Sequence, residues 1–152
     1  MTENVHPMRP NGRPDAVPAF GLLVVDDHRL MRRALELWCQ DRGFAAWIVA
    51  DGASALEIYR SHQREIDLIV LDVNMPGMSG PEILGSLRRI NPDAVFCFMT
   101  AGSAVFSEHQ LRSLGPLRVL RKPLQFDELN AVIMGLLNDG ARTPERRKAV
   151  GF

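Results

Sequence analysis

The chain is poor in cysteine, has a single tyrosine, and carries no surplus of either charge. Its two cysteines, Cys39 and Cys97, lie inside apolar segments at no metal-ligand spacing, so a disulfide framework or thiolate metal site is excluded and buried reduced thiols are expected. Lys plus Arg number 18 and Asp plus Glu 18, so no global field draws the chain to nucleic acid or to an anionic membrane. No apolar run approaches the ~20 residues of a membrane helix. Residues 1–19 lack the apolar centre of a signal peptide. The expectation is a soluble cytoplasmic protein with no membrane partner and no direct nucleic-acid partner.

A length of 152 residues fits one domain with a sizeable core. Residues 1–19 hold four prolines and few large apolar groups and read as a disordered arm. Residues 139–152, with Arg146, Arg147 and Lys148, read as a solvated tail. Between them, 20–138 alternates strand and helix five times. Strands are predicted at 21–26, 45–50, 67–72, 94–99 and 117–121. Helices are predicted at 29–41 (inward stripe Leu30, Ala34, Leu37, Trp38), 53–64 (Ala55, Leu56, Tyr59), 80–90 (Ile83, Leu84, Leu87), 103–114, where apolar residues are sparse, and 127–138 (Leu129, Val132, Ile133, Leu136, Leu137). Such alternation means a parallel sheet covered on both faces, either flavodoxin-like or a small Rossmann-type fold.

Four of the apolar runs end in polar residues: Val25-Asp26-Asp27, Leu71-Asp72, Met99-Thr100 and Arg121-Lys122. Ligands of open α/β sheets bind at the carboxyl ends of the strands. Order 2-1-3-4-5 brings Asp27, Asp72 and Thr100 together, which favours a doubly wound (βα)5 sheet of flavodoxin type. Three crowded carboxylates repel unless a cation or proton offsets them. Magnesium suits the set, because it takes few carboxylates and completes its shell with water and phosphate oxygen. Lys122 is a fixed positive charge, Thr100 a hydrogen-bond donor to an anion, and the small Ala101 leaves its backbone N–H open to another oxygen. An ionised carboxylate can attack phosphorus and form an aspartyl phosphate, with metal and lysine neutralising the transferring group.

The segment Asp72-Val73-Asn74-Met75-Pro76-Gly77-Met78-Ser79-Gly80 closely resembles the phosphoacceptor segment of response-regulator receiver domains. Val25-Asp26-Asp27, Met99-Thr100-Ala101 and Lys122-Pro123 follow the same pattern in order, and the resemblance covers about 20–138. It implies a flavodoxin-like fold. It implies Asp72 as the phosphorylated residue and Mg2+ as cofactor. Asp27 would ligate the metal directly, Asp26 largely through water, and Asn74 through its backbone carbonyl. Asn74, Thr100, Ala101 and Lys122 would meet the phosphoryl group, with Thr100 as the switch hydroxyl. A cis Lys122–Pro123 bond is also implied.

One position departs from the pattern. The residue three before the lysine is usually Tyr or Phe, whose ring swings inward with the threonine; here it is Val119, which has no ring to rotate. Each motif alone has a plainer reading: an Asp-Asp pair at a strand end is often a helix cap, and a Lys-Pro is often only a loop. Their joint occurrence at four strand ends decides for a site.

The expectation is therefore a stand-alone receiver protein of a two-component or phosphorelay pathway. It would be phosphorylated by a histidine kinase or histidine phosphotransfer protein and would signal to a downstream protein through helix 4, strand 5 and helix 5, the surface on which a homodimer would also form. Too few residues follow the last helix for a helix-turn-helix. Two rivals remain. An aspartate-nucleophile phosphohydrolase would want an acid two places after its nucleophile, where this chain has Asn74. A receiver-like binding module that needs no phosphate would not need all the site residues.

Overall fold

The computed structural model describes residues 19–139. Five strands alternate with five helices: β1 Gly21–Val25, α1 Arg29–Arg42, β2 Ala45–Val49, α2 Gly52–His62, β3 Leu68–Asp72, α3 Gly80–Ile90, β4 Phe96–Thr100, α4 Glu108–Ser113, β5 Val119–Arg121 and α5 Phe126–Asn138. The strands form one parallel sheet in the order β2-β1-β3-β4-β5, as expected for the flavodoxin-like fold. Of the arm at 1–19 and the tail at 139–152, only Ala19 and Asp139 fall within the described residues.

The sheet is buried on both faces because its strands are continuous apolar runs. Alternate side chains supply two cores. Leu22, Val24, Leu68, Val70, Cys97, Met99 and Leu120 face α1 and α5. Leu23, Val25, Trp47, Ile69, Leu71, Phe96 and Phe98 face α2, α3 and α4. Both cysteines are free and buried. Burial pushes the Cys39 thiol up to about 12 and the Cys97 thiol to about 11, so neither is a thiolate at neutral pH.

Helix starts follow local chemistry. Asp51 caps α2 by accepting from the Ser54 N–H at 2.8 Å, and Ser79 caps α3 by accepting from the Glu82 N–H at 3.3 Å. Such caps contribute about 1 kcal/mol each. Gly43 ends α1 in the left-handed conformation with φ 73°.

Three expectations need correction. In α1 the stripe facing the sheet is Met31, Leu35, Trp38 and Cys39, while Leu30 is 84% exposed and Leu37 50% exposed. Both spacings are helical, and the tertiary partner selects the one that meets the sheet. Leu137 of α5 likewise turns outward. Helix α4 occupies only 108–113, not 103–114, because Ser107 forms a capping box with Gln110 that fixes the start late.

Candidate phosphoryl and metal site

The register sets the site. Val25 pairs with Leu71, Asp72 with Met99, and Thr100 with Arg121, so β1, β3, β4 and β5 end at one level. Asp26 follows β1, Asp72 closes β3, Thr100 closes β4 and Lys122 follows β5. A glycine lets α3 start against the end of β3: a Cβ on Gly80 would lie 2.6 Å from the Asp72 carbonyl oxygen.

The polar side chains converge as the sequence predicts. One oxygen from each of Asp26, Asp27 and Asp72 can be chosen so that all lie within 4.8 Å of one another. Asp26 is fully buried, Asp72 is 3% exposed, and Asp27 stands at the surface. The Lys122 ammonium donates to Asp72 Oδ2 at 2.8 Å and lies 3.2 Å from Asp26 Oδ2. Asp72 Oδ1 accepts from the Asn74 N–H at 3.3 Å, and Asp26 Oδ1 from the His28 N–H at 2.8 Å. Asp26 Oδ2 is buried, and the Lys122 ammonium is the charge that faces it.

Burial pushes the Asp72 carboxyl above the ordinary aspartate range, and the Asp26 charge adds to the rise. The hydrogen bond and charge of Lys122 act the other way. For Lys122, burial works against the ammonium, but the hydrogen bonds and charges of Asp72 and Asp26 outweigh it and hold its pKa above the usual lysine value. The lysine stays charged and offsets one of the three negative charges. The remaining negative charge of three carboxylates whose oxygens lie within 4.8 Å of one another is what a divalent cation would compensate, so the donor set fits magnesium.

Thr100 closes β4 as a buried residue, and the exposed Ala101 follows it. Thr100 Oγ1 accepts from the Gly102 N–H at 3.0 Å, and the Asn74 side-chain amide donates to the Gly102 carbonyl at 2.8 Å. Gly102 has φ 106°, a conformation that favours glycine. The sequence reading missed Gly102. A glycine one place past Thr100-Ala101 was the visible signal, but its two tethers are tertiary. The Lys122–Pro123 bond is cis.

A cleft of about 320 Å³ runs from Thr100 toward α4, with Ser103, Phe106, Leu111, Val119 and Arg121 among its walls. At its outer end Glu108 accepts from Arg121 at 2.9 Å and from Arg112 at 2.8 Å.

The fold and the carboxylate cluster define a receiver-type α/β protein, and comparison with known proteins agrees. The model of the response regulator receiver domain matches residues 22–134, and the chain belongs to that family, the receiver domain of two-component systems. It is 35% identical over 120 residues to the transcriptional regulatory protein TctD of Salmonella typhimurium, covering 79% of this chain and 53% of TctD. It is 42% identical over 93 residues to the nitrate/nitrite response regulator protein NarP of Escherichia coli, covering 60% of this chain and 42% of NarP. The chain thus spans about half or less of the length of these curated relatives. Among solved structures it is similar to a CheX-CheY-BeF3-Mg+2 complex from Borrelia burgdorferi (25% identity, TM-score 0.68, 78% of this chain and 89% of that one). It is also similar to a response regulator receiver protein from Pseudomonas putida (26% identity, TM-score 0.69, 79% and 99%). Among the described residues no helix is long and apolar enough to cross a membrane.

Proposed function

We propose that the chain is a phosphoacceptor switch whose acceptor is Asp72. The observation that carries this reading is the three-carboxylate cluster bridged by Lys122 at the carboxyl ends of the central strands. The donor is a phosphohistidine on a histidine kinase or a histidine phosphotransfer protein. An Asp72 oxygen attacks phosphorus and an O–P bond forms. The N–P bond breaks, its electron pair stays on the imidazole nitrogen, and that nitrogen takes a proton. Water later attacks the phosphorus of the acyl phosphate, the O–P bond to Asp72 breaks, inorganic phosphate leaves and the carboxylate returns.

Asp26, Asp27, Asp72 and the Asn74 carbonyl would hold Mg2+, which when bound neutralises charge on the phosphoryl oxygens. Lys122 holds a second positive charge at that group, and Thr100, Ala101 and Asn74 offer hydrogen-bond donors. The chain acts as a switch in the cytoplasm, with 20–138 as the receiver domain. Its output surface is α4, β5 and α5, through which it meets a downstream protein or a second copy of itself, with no direct contact to nucleic acid or membrane. Phosphohydrolase action is disfavoured because the residue two places after Asp72 is Asn74, whose amide is engaged with Gly102 and is no acid.

Mass spectrometry after incubation with magnesium and acetyl phosphate tests this reading. The parent should gain one phosphoryl group on Asp72, and Asp72→Ala should lose at least nine-tenths of the labelling. Undiminished labelling of Asp72→Ala overturns the assignment. Steady turnover of a chromogenic phosphate ester would favour the hydrolase instead.

A further inference from the structure

We propose that Phe106 is the positioning residue that couples Asp72 to helix α4, its ring entering the cleft beside Val119 when Thr100 turns toward a phosphoryl group. The proposal rests on the reading of Asp72 as acceptor.

Two tethers connect the site to the segment that carries Phe106. Thr100 Oγ1 accepts from the Gly102 N–H, and the Asn74 amide donates to the Gly102 carbonyl. A hydroxyl that turns to Asp72 releases the first tether, and Asn74, two residues from the acceptor, controls the second. Next in the chain, Ser103 Oγ accepts from the N–H groups of both Val105 and Phe106 at 3.2 Å, so the turn from 103 to 106 moves as one piece. Gly102, at φ 106°, is where the backbone can take up the change.

Phe106 then acts on α4 through its place in the chain. It stands immediately before the N-cap Ser107, and Leu111 is the fourth helical residue. An apolar pair at these two positions forms a staple that fixes the angle at which the chain enters a helix. Both residues wall the same cleft, and both belong to the core on that face of the sheet. The ring has room to move because the β5 residue that shares the cleft wall is the small Val119. The cleft, about 320 Å³, exceeds the ~150 Å³ that admits benzene in an engineered cavity. A shift of the staple redirects α4 and with it Glu108, the residue that Arg121 holds at the surface.

The test uses the full chain with methyl-labelled Leu and Val and labelled Phe, followed by NMR with magnesium and beryllofluoride as phosphoryl mimic. The 19F signal of bound beryllofluoride reports occupancy of Asp72. In the parent, the Phe106 ring should gain contacts to the Val119 methyls, and the Leu111 methyls should shift. In Phe106→Ala the Leu111 and Val119 shifts should fall at least fivefold at equal occupancy, and Phe106→Tyr should restore at least half. Val119→Leu narrows the cleft without supplying a ring of its own and should blunt the Leu111 response at least twofold, which keeps the test open should Phe106→Ala fold poorly. Bound beryllofluoride with a full Leu111 response in Val119→Leu overturns the coupling and leaves the acceptor reading intact. A parent with no bound 19F signal overturns the acceptor reading and the coupling with it.

Discussion

Lys122 and Asp72 join the ends of β5 and β3 across the intervening strand β4, with the ammonium 2.8 Å from Oδ2. The Lys122 charge offsets the Asp72 carboxylate where burial opposes its ionisation. Removal of one partner of a fully buried pair costs about 3–5 kcal/mol. The Lys122 side chain keeps 18% exposure, which screens part of that. Lys122→Ala should therefore lower the stability of the metal-free protein by about 2 kcal/mol in urea unfolding. An unchanged midpoint would show that the Asp26–Asp72 pair needs no fixed cation.

The pH dependence of metal-free stability follows from the same residue. The folded-state pKa of Asp72 is raised, so in the carboxylate range the folded chain holds a proton that the unfolded chain releases. The stabilisation from that proton is full below the unfolded pKa and is lost as pH rises through the folded one. Asp72→Asn should flatten this part of the stability curve. At the alkaline end, the raised Lys122 pKa places a second loss of stability above the usual lysine value, and Lys122→Ala should abolish it. Curves of identical slope for parent and Asp72→Asn through the carboxylate range would contradict the first assignment.

Much of this site was legible in the chain because its chemistry sits at strand ends. Val25-Asp26, Leu71-Asp72 and Met99-Thr100 each join a buried run to a polar terminus, and a parallel sheet must bring such ends together. The departures have tertiary causes. Leu30 and Leu37 keep helical spacing in α1 as well as Leu35 and Cys39 do, and only packing against β1 and β2 selects the second set. The start of α4 depended on Ser107 and Gln110, a capping box in plain sight whose competition with the upstream Ser103 could not be ranked from periodicity. The ties to Gly102 link residues 28 positions apart, beyond any local pattern.

Removing Asp27 separates the metal role of the cluster from its structural role. Asp27 is exposed and can contribute a ligand oxygen. Calorimetry should show magnesium affinity at least tenfold weaker in Asp27→Ala. The metal-free mutant should be as stable as the parent or better by about 0.5 kcal/mol, because one of three like charges is gone. Parent-like affinity would refute the acidic-cleft assignment, and a destabilised metal-free mutant would make Asp27 a structural residue instead.

Gly80 offers a steric test of how α3 positions Asp72. A Cβ there would sit 2.6 Å from the Asp72 carbonyl oxygen and 3.1 Å from the Val73 Cα, so backbone must move. Gly80→Ala should cost about 1–3 kcal/mol, as overpacking does. It should also slow phosphorylation of Asp72 by acetyl phosphate severalfold. Parent-like stability together with a parent-like rate would mean that the α3 start is free to shift without disturbing the site.

Helix α4 should be the least protected helix of the fold. It has six residues and buries only Leu111, whereas α3 buries Gly80, Ile83, Leu84 and Leu87. Its remaining support is the capping box and the surface pairing of Glu108 with Arg112 and Arg121. The Arg112 hydrogen bond and the Arg121 charge hold the Glu108 carboxyl below the ordinary glutamate range. A depressed folded pKa gives support that is present above the unfolded value and lost as pH falls through the folded one. Amide hydrogen exchange should therefore be faster in α4 than in α3 at neutral pH. Glu108→Gln should speed α4 exchange further, leave α3 unchanged, and remove the acid-dependent loss of protection. Equal protection of the two helices, or an α4 rate indifferent to Glu108→Gln, would show that Leu111 and the cap alone hold the helix in place.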